Sequence, residues 1–191
     1  MNNQVVFAAA GHGKTYSLCE KAKSAINAGA KYVLLISYTN EGIHALKKEY
    51  KKQNYGVLDE QVIFKTWYSF LLSEFIKPYQ CSLKLTQKHY KAEWPFVVPE
   101  NYISSIAFYS TEQLPRVFNQ SHVQYFLNKN RDIYPNKVSH LAFLCNRDSD
   151  EKAIARMEQI YSHIFIDELQ DYAGWDLEII KLLFHSRIVI T

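Results

Sequence analysis

The chain has 191 residues, 48% of them apolar and 15% aromatic, which is enough to bury a sizeable core and excludes a disordered or low-complexity chain. Its longest unbroken apolar run, Val5–Ala10, falls far short of the roughly 18 residues of a membrane span. The net charge of +3 hides an asymmetry: residues 1–91 carry 13 Lys against 6 acids, and residues 92–191 carry 9 Lys or Arg against 13 acids.

A basic half suits contact with a polyanion, although solvated helix faces give the same count. No basic stretch leads into a long hydrophobic segment, so no secretory leader and no membrane partner are expected. Cys19, Cys81 and Cys145 lie far apart and form no CxxC pair. Buried thiols in a reducing cytoplasm are the expectation.

In chain order, Gln4–Ala9 reads as a short buried strand. A helix follows over Lys14–Ala28, with Leu18, Ala22 and Ile26 on one face and Gly29 placed as a C-cap. Tyr32–Ser37 is continuously apolar, as in a parallel strand covered on both faces. Glu41–Lys52 reads as a helix with Ile43, Leu46 and Tyr50 inward and Lys47, Lys48, Lys51 and Lys52 outward. Val62–Phe64 is a third strand, leading into a helix whose Trp67, Phe70, Leu71 and Phe75 share a face. All five prolines fall between Pro78 and Pro135. This middle section reads as helices at Thr86–Trp94, Tyr102–Phe108 and Ser121–Asn128. A fourth is expected over Asp148–Tyr161, with Asp148 and Glu151 as a capping box. Strand His163–Ile166, helix Trp175–Phe184 and strand Arg187–Thr191 resume the alternation. Strand–helix alternation at this spacing predicts an α/β fold with a mainly parallel sheet flanked by helices, and a helical insertion.

Two segments carry chemistry. Ala8-Ala9-Ala10-Gly11-His12-Gly13-Lys14-Thr15 stands between a strand and a helix, the setting of a phosphate-binding loop. Gly11 and Gly13 let the backbone curl its N–H groups toward phosphate oxygens, and the helix N-terminus adds its positive end. Lys14 would reach the β- and γ-phosphates, and the Thr15 hydroxyl would ligate Mg²⁺. The bland alternative is a small-residue turn before a lysine-rich helix. In the second segment, the apolar strand Ile164–Ile166 ends in Asp167 and Glu168, followed by Gln170 and Asp171. Asp167 can assist Mg²⁺, Glu168 can polarise an attacking water, and Gln170 can sense the γ-phosphate. An acidic helix cap after a core strand is the alternative.

Together these segments resemble the UvrD/Rep-type helicases of superfamily 1. Their first motif commonly reads AGAGSGKT and their second DExQD, the latter matched at Asp167, Glu168, Gln170 and Asp171. Ser37-Tyr38-Thr39-Asn40 resembles the family's TFTN segment, and Thr66-Trp67-Tyr68-Ser69 its TFHS segment. The resemblance implies a RecA-like P-loop NTPase domain over residues 1–76 and 151–191, with a helical insertion at 77–150. It implies ATP and Mg²⁺ as cofactors and single-stranded DNA as partner, faced by Tyr38, Thr39, Asn40, Thr66, Trp67 and Tyr68. From the residues themselves, a tryptophan on an apolar helix face such as Trp67 is more often core, and for Tyr38 core packing and strand contact are both open.

Departures are informative. Gln4 stands too close to Ala8 to act as the family's adenine-reading glutamine, and His12 replaces a small hydroxyl residue. The family's third motif, a GD pair, would follow Thr191, as would a second RecA-like domain whose arginines reach the γ-phosphate. Such an arginine is worth about 10³ to 10⁵ in rate in related NTPases. The resemblance therefore implies weak nucleotide binding and poor hydrolysis by these 191 residues alone. The rival expectations are a stand-alone module that grips single strands or a protein partner without useful turnover, and a different P-loop ATPase.

Overall fold

The structure, a computed structural model, describes residues 3–5, 13–84, 119–121, 123–128 and 132–191. Ala8–His12, most of the expected first strand, and the expected helices Thr86–Trp94 and Tyr102–Phe108 lie outside the described residues. The chain divides into two compact units, Met1–Phe70 with Ile154–Thr191, and Leu71–Ala153.

The first unit is α/β. Its sheet has four parallel strands among the described residues: β1 (Val33–Ser37), β2 (Val62–Thr66), β3 (His163–Ile166) and β4 (Val189–Ile190). Their order is β2-β1-β3-β4. Every residue of β1 is buried, as its unbroken apolar run requires of a strand covered on both faces. In register, Ser37 stands beside Thr66 and Ile36 beside Ile166, so three strands reach one edge of the sheet together. The Gln4 N–H donates to the Ile190 carbonyl at 2.9 Å, and the Asn3 side chain accepts from the Ile190 N–H at 3.0 Å. The N-terminal segment therefore runs beside β4, on the side away from β3.

Helices α1 (Lys14–Asn27) and α2 (Asn40–Gln53) cover one face. Cys19 and Ala22 of α1, Ile43, Leu46 and Tyr50 of α2, and Val33, Leu35, Val62 and Phe165 of the sheet form one buried cluster. Ala22, Ile43, Leu46 and Tyr50 were read as inward from helical spacing, whereas Leu18 and Ile26 are only partly buried and Cys19 joins Ala22 in the cluster. Burial pushes the Cys19 thiol up to about 12, which makes it an inert apolar filler. Helix α1 closes in a Schellman turn: Ala30 N–H donates to Ala25 and Gly29 N–H to Ile26, with Gly29 at φ 92°. Thr39 caps α2 by accepting from the Gly42 N–H at 3.0 Å. The short α3 (Trp67–Phe70) follows β2 directly, and α8 (Trp175–His185) precedes β4.

In the second unit, a π-helical turn at Leu71–Ile76 is followed by α4 (Lys77–Tyr79). The expected helix over Ser121–Asn128 is a single turn, α5 (Val123–Phe126), closed by a bridge from Leu127 to Ile133. The expected helix over Asp148–Tyr161 is corrected. Asp148 ends α6 (Val138–Asp148), and α7 (Lys152–Ile160) begins only after a break. At the break, Glu151 N–H donates to Asn146 and Asp150 N–H to Arg147, a Schellman turn with Asp150 at φ 54°. The Asp148 carboxylate accepts from Lys84 N–H and from the Arg147 side chain, so it is no N-cap. Among the described residues no helix is long and apolar enough to cross a membrane.

Candidate active site

The residues that open α1 and those that end β3 meet at one place. Gly13, at φ 75°, is the N-cap of α1, a left-handed conformation that favours glycine. Lys14 starts the helix, and its Nζ lies 2.8 Å from Glu168 Oε2. Thr15 follows in the first turn, half-buried. The Asp167 N–H continues the parallel ladder to the Ile36 carbonyl at 2.8 Å, which carries β3 one residue past its last paired side chain. Glu168 then turns left-handed, at φ 54° and ψ 50°. This conformation is uncommon for a residue with a side chain and costs of order 1–3 kcal/mol. It directs the chain into the single turn Leu169–Asp171 and leaves the Glu168 carboxylate on Lys14. The Gln170 amide also donates to Glu168 Oε2.

The two adjacent carboxylates have different surroundings. Hydrogen bonds from Lys14 and then Gln170 hold the Glu168 carboxyl below its usual range. Burial, then the neighbouring Glu168 charge, pushes Asp167 up. Asp167 is 6% exposed, and its Oδ1 accepts from the Glu168 N–H at 3.1 Å. The Lys14 ammonium is raised by its hydrogen bond to Glu168, against the opposing effect of desolvation. A cavity of about 460 Å³ opens over these groups, and Lys14, Ser17, Asp167, Glu168, Gln170 and Tyr172 contribute to its wall.

Beside the acids, on the same sheet edge, lies an aromatic cluster. Tyr38 follows β1, Trp67 and Tyr68 follow β2, and Tyr172 follows the Leu169–Asp171 turn, so register alone brings them together. Tyr38 and Tyr68 share a hydroxyl–hydroxyl hydrogen bond at 3.1 Å with rings 5.6 Å apart. Both are half-buried, and burial followed by the Tyr38 hydrogen bond pushes the Tyr68 phenol up. Trp67 is 0% exposed, and its indole N–H donates to Asp176 Oδ1 at 2.6 Å. Of its two open readings, packing is therefore the one its surroundings fit: it offers no ring face to a base. Thr39 is occupied as the α2 cap, Asn40 is exposed, and Thr66 Oγ1 bonds both the hydroxyl and the N–H of Ser69.

Tyr172 and Asp176 were not singled out from sequence. An aromatic residue directly after the acidic run was the only signal for Tyr172, and no periodicity marks it. Comparison of the chain with protein-family models and with curated proteins returns no match.

Asp167 and Glu168 are the carboxylates at this place that could share a divalent cation with a ligand's own oxygens. Among the described residues no group of three or more His, Cys, Asp or Glu could hold a metal by itself. Mg²⁺ with substrate phosphates and waters needs only one or two carboxylates. Asp167, strained by burial beside a second acid, has the electrostatics that such a cation relieves.

Proposed function

We propose that the first unit is the Mg-ATP-binding core of a P-loop ATPase of the UvrD/Rep helicase type, acting on single-stranded DNA together with a second RecA-like domain. The observation that carries the reading is the 2.8 Å ion pair between the helix-opening Lys14 and the strand-end Glu168. A lysine after a glycine turn and a paired acid at a parallel strand's end are the two halves of such a site, and they adjoin one cavity.

In this reading, the Gly13 and Lys14 N–H groups and the Lys14 ammonium bind the β- and γ-phosphates. Thr15 and Asp167 would hold Mg²⁺, which supplies charge neutralisation at the phosphates. Phosphate binding draws Lys14 Nζ away from Glu168. Once that hydrogen bond is gone, the main influence holding the Glu168 carboxyl low is removed, and its basicity rises toward normal. Glu168 then accepts a proton from the attacking water, while Gln170 orients it. The ion pair thus keeps the base idle until phosphate arrives. The Tyr38 and Tyr68 rings and the Asn40 amide would meet the DNA strand, the rings by stacking on bases.

The test is titration of the chain with a fluorescent ATP analogue, with and without Mg²⁺, for the parent and Lys14→Ala. Saturable Mg²⁺-dependent binding lost by at least tenfold in the variant is expected. A variant that binds as the parent does overturns the site. Turnover with and without oligo(dT) separates an ATPase from a binding module, since the module reading requires no stimulation.

A further inference from the structure

Tyr172 touches both halves of the first unit's candidate site. It helps wall the cavity that Lys14, Asp167 and Glu168 share, and it is 4% exposed. Its ring makes T-shaped contacts with Tyr38 at 5.3 Å and with Trp67 at 4.7 Å, with interplanar angles of 87° in both cases. Tyr38 in turn bonds Tyr68. Trp67 is fixed by Asp176, so one of the two surfaces that Tyr172 presses on is rigid and the other is half-exposed.

The backbone joins these contacts to the chemistry. Only the Leu169–Asp171 turn separates Tyr172 from Glu168, and the Tyr172 N–H closes that turn on Leu169. Glu168 holds a left-handed conformation while its carboxylate is bound to Lys14 and Gln170. Releasing Lys14 removes one restraint on a strained residue, and Tyr172 is joined to the turn behind it by chain connectivity and by its own N–H bond to Leu169. The Tyr172 hydroxyl is buried with no hydrogen-bond partner among the described residues. Buried hydroxyls are ordinarily satisfied, and this ring is instead held by its T-shaped contacts with Tyr38 and Trp67.

We infer that Tyr172 is a positioning residue that couples occupancy of the phosphate cavity to the Tyr38–Tyr68 surface through its two ring contacts. The inference rests on the nucleotide reading given above and adds to it the side chain that carries the link. The two states are Glu168 paired with Lys14 and Glu168 released, and the element they bias is the turn from Glu168 to Tyr172. Coupling of this kind is reciprocal: nucleotide must change affinity for a strand by the same factor as the strand changes affinity for nucleotide.

The experiment measures affinity of the full chain for Mg-AMP-PNP and for a labelled oligo(dT), each alone and each in the presence of the other. The parent is expected to bind both, with a coupling factor of about fivefold or more. Tyr172→Leu is expected to bring that factor below twofold, whatever it does to each separate affinity. Tyr172→Phe keeps both ring contacts and loses only the hydroxyl, so it is expected to retain the parent's coupling. That rescue distinguishes ring contact from a general loosening of the site. A parent that binds both ligands without coupling, or a Leu variant that keeps it, overturns this inference and leaves the nucleotide site standing. A parent that binds no Mg-AMP-PNP overturns both.

Discussion

Lys14 Nζ and Glu168 Oε2 lie 2.8 Å apart across 154 positions of sequence. Asp167 and Asp171 add their charges around the same ammonium, so the pair belongs to an acidic cluster at the strand end. The lysine opens a helix behind a glycine at positive φ, and the glutamate occupies a strained turn at the end of a buried strand. Such a pair, half-exposed, contributes little to stability by itself. Its chemical consequence is larger: each partner holds the other in its charged form until a competing anion or cation separates them.

Glu168→Gln is therefore expected to separate binding from turnover. The amide cannot take a proton from water, so turnover should fall by about 10² to 10⁴. It also no longer holds Lys14 by charge, so Mg-ATP affinity should match or exceed that of the parent. Phosphate-release assays and nucleotide titration on the same preparation check both halves. A variant that loses binding along with turnover would make Glu168 structural.

Asp167→Asn is expected to stabilise the chain while abolishing its response to Mg-nucleotide. Asp167 has a folded-state pKa raised above the usual 3.8 by burial and by Glu168. A group raised in the folded state favours folding at pH below its ordinary value, and that contribution disappears as pH rises through the folded value. At neutral pH the ionised Asp167 is a cost that asparagine removes, and Asn Oδ1 still accepts from the Glu168 N–H. Melting curves from pH 4 to 8 should show the variant's advantage growing with pH. Mg-ATP should raise the melting temperature of the parent alone.

Trp67→Phe and Tyr68→Ala are expected to separate core from surface on one turn of α3. The Phe variant loses the indole bond to Asp176 and should cost about 1–3 kcal/mol of stability with oligo(dT) affinity within twofold. The Ala variant removes a half-exposed ring and should weaken oligo(dT) binding by about 1–3 kcal/mol if a base stacks there. Urea melts and fluorescence anisotropy check the two effects. Equal loss of DNA affinity in both variants would contradict the assignment of Trp67 to the core.

Gly42→Ala is expected to destabilise the first unit by about 1–3 kcal/mol. A Cβ at this position would stand 2.0 Å from Ser37 Oγ and 2.9 Å from Ser37 Cβ. Rotation of the hydroxyl relieves the first contact, but the Cβ is fixed to the buried β1 backbone. Only a glycine lets α2 start this close to the strand end that carries Tyr38. Because alanine keeps that Cβ, adding Ser37→Ala should recover little of the loss, read as the shift in urea midpoint.

The sheet of the first unit was legible because its strands are short apolar runs and its two long helices carry stripes at 3.6-residue spacing. Ile43, Leu46 and Tyr50 were read as inward from spacing alone and are buried together. The acids and Lys14 were legible as motifs, since chemistry restricts residue types more tightly than packing does. What sequence concealed was set by tertiary contact. Helix α6 buries Val138, His140, Leu141, Leu144, Cys145 and Asn146 around most of its circumference, so it shows no clean apolar stripe. Its end was hidden because an aspartate, Asp150, takes the left-handed position usually marked by glycine. The pairing of Tyr172 with Tyr38 and Trp67 depends on which strands adjoin, and no local pattern encodes that.

His140 gives the second unit an expected acid sensitivity. The ring is 4% exposed, stands 5.1 Å from Phe126 and 6.0 Å from Tyr125, and feels the charges of Lys137 and Arg147. Burial first, then those two cations, lowers its pKa from 6.5 to about 4. A group depressed in the folded state contributes stability that is whole above its ordinary value and drains away as pH falls through the folded one. The window is therefore pH 6.5 down to 4, and the loss across it is at most about 3 kcal/mol. Hydrogen exchange of the α6 amides should accelerate across that window beyond the intrinsic pH trend. His140→Leu should flatten the dependence, whereas an unchanged slope in that variant would assign the acid sensitivity to another group.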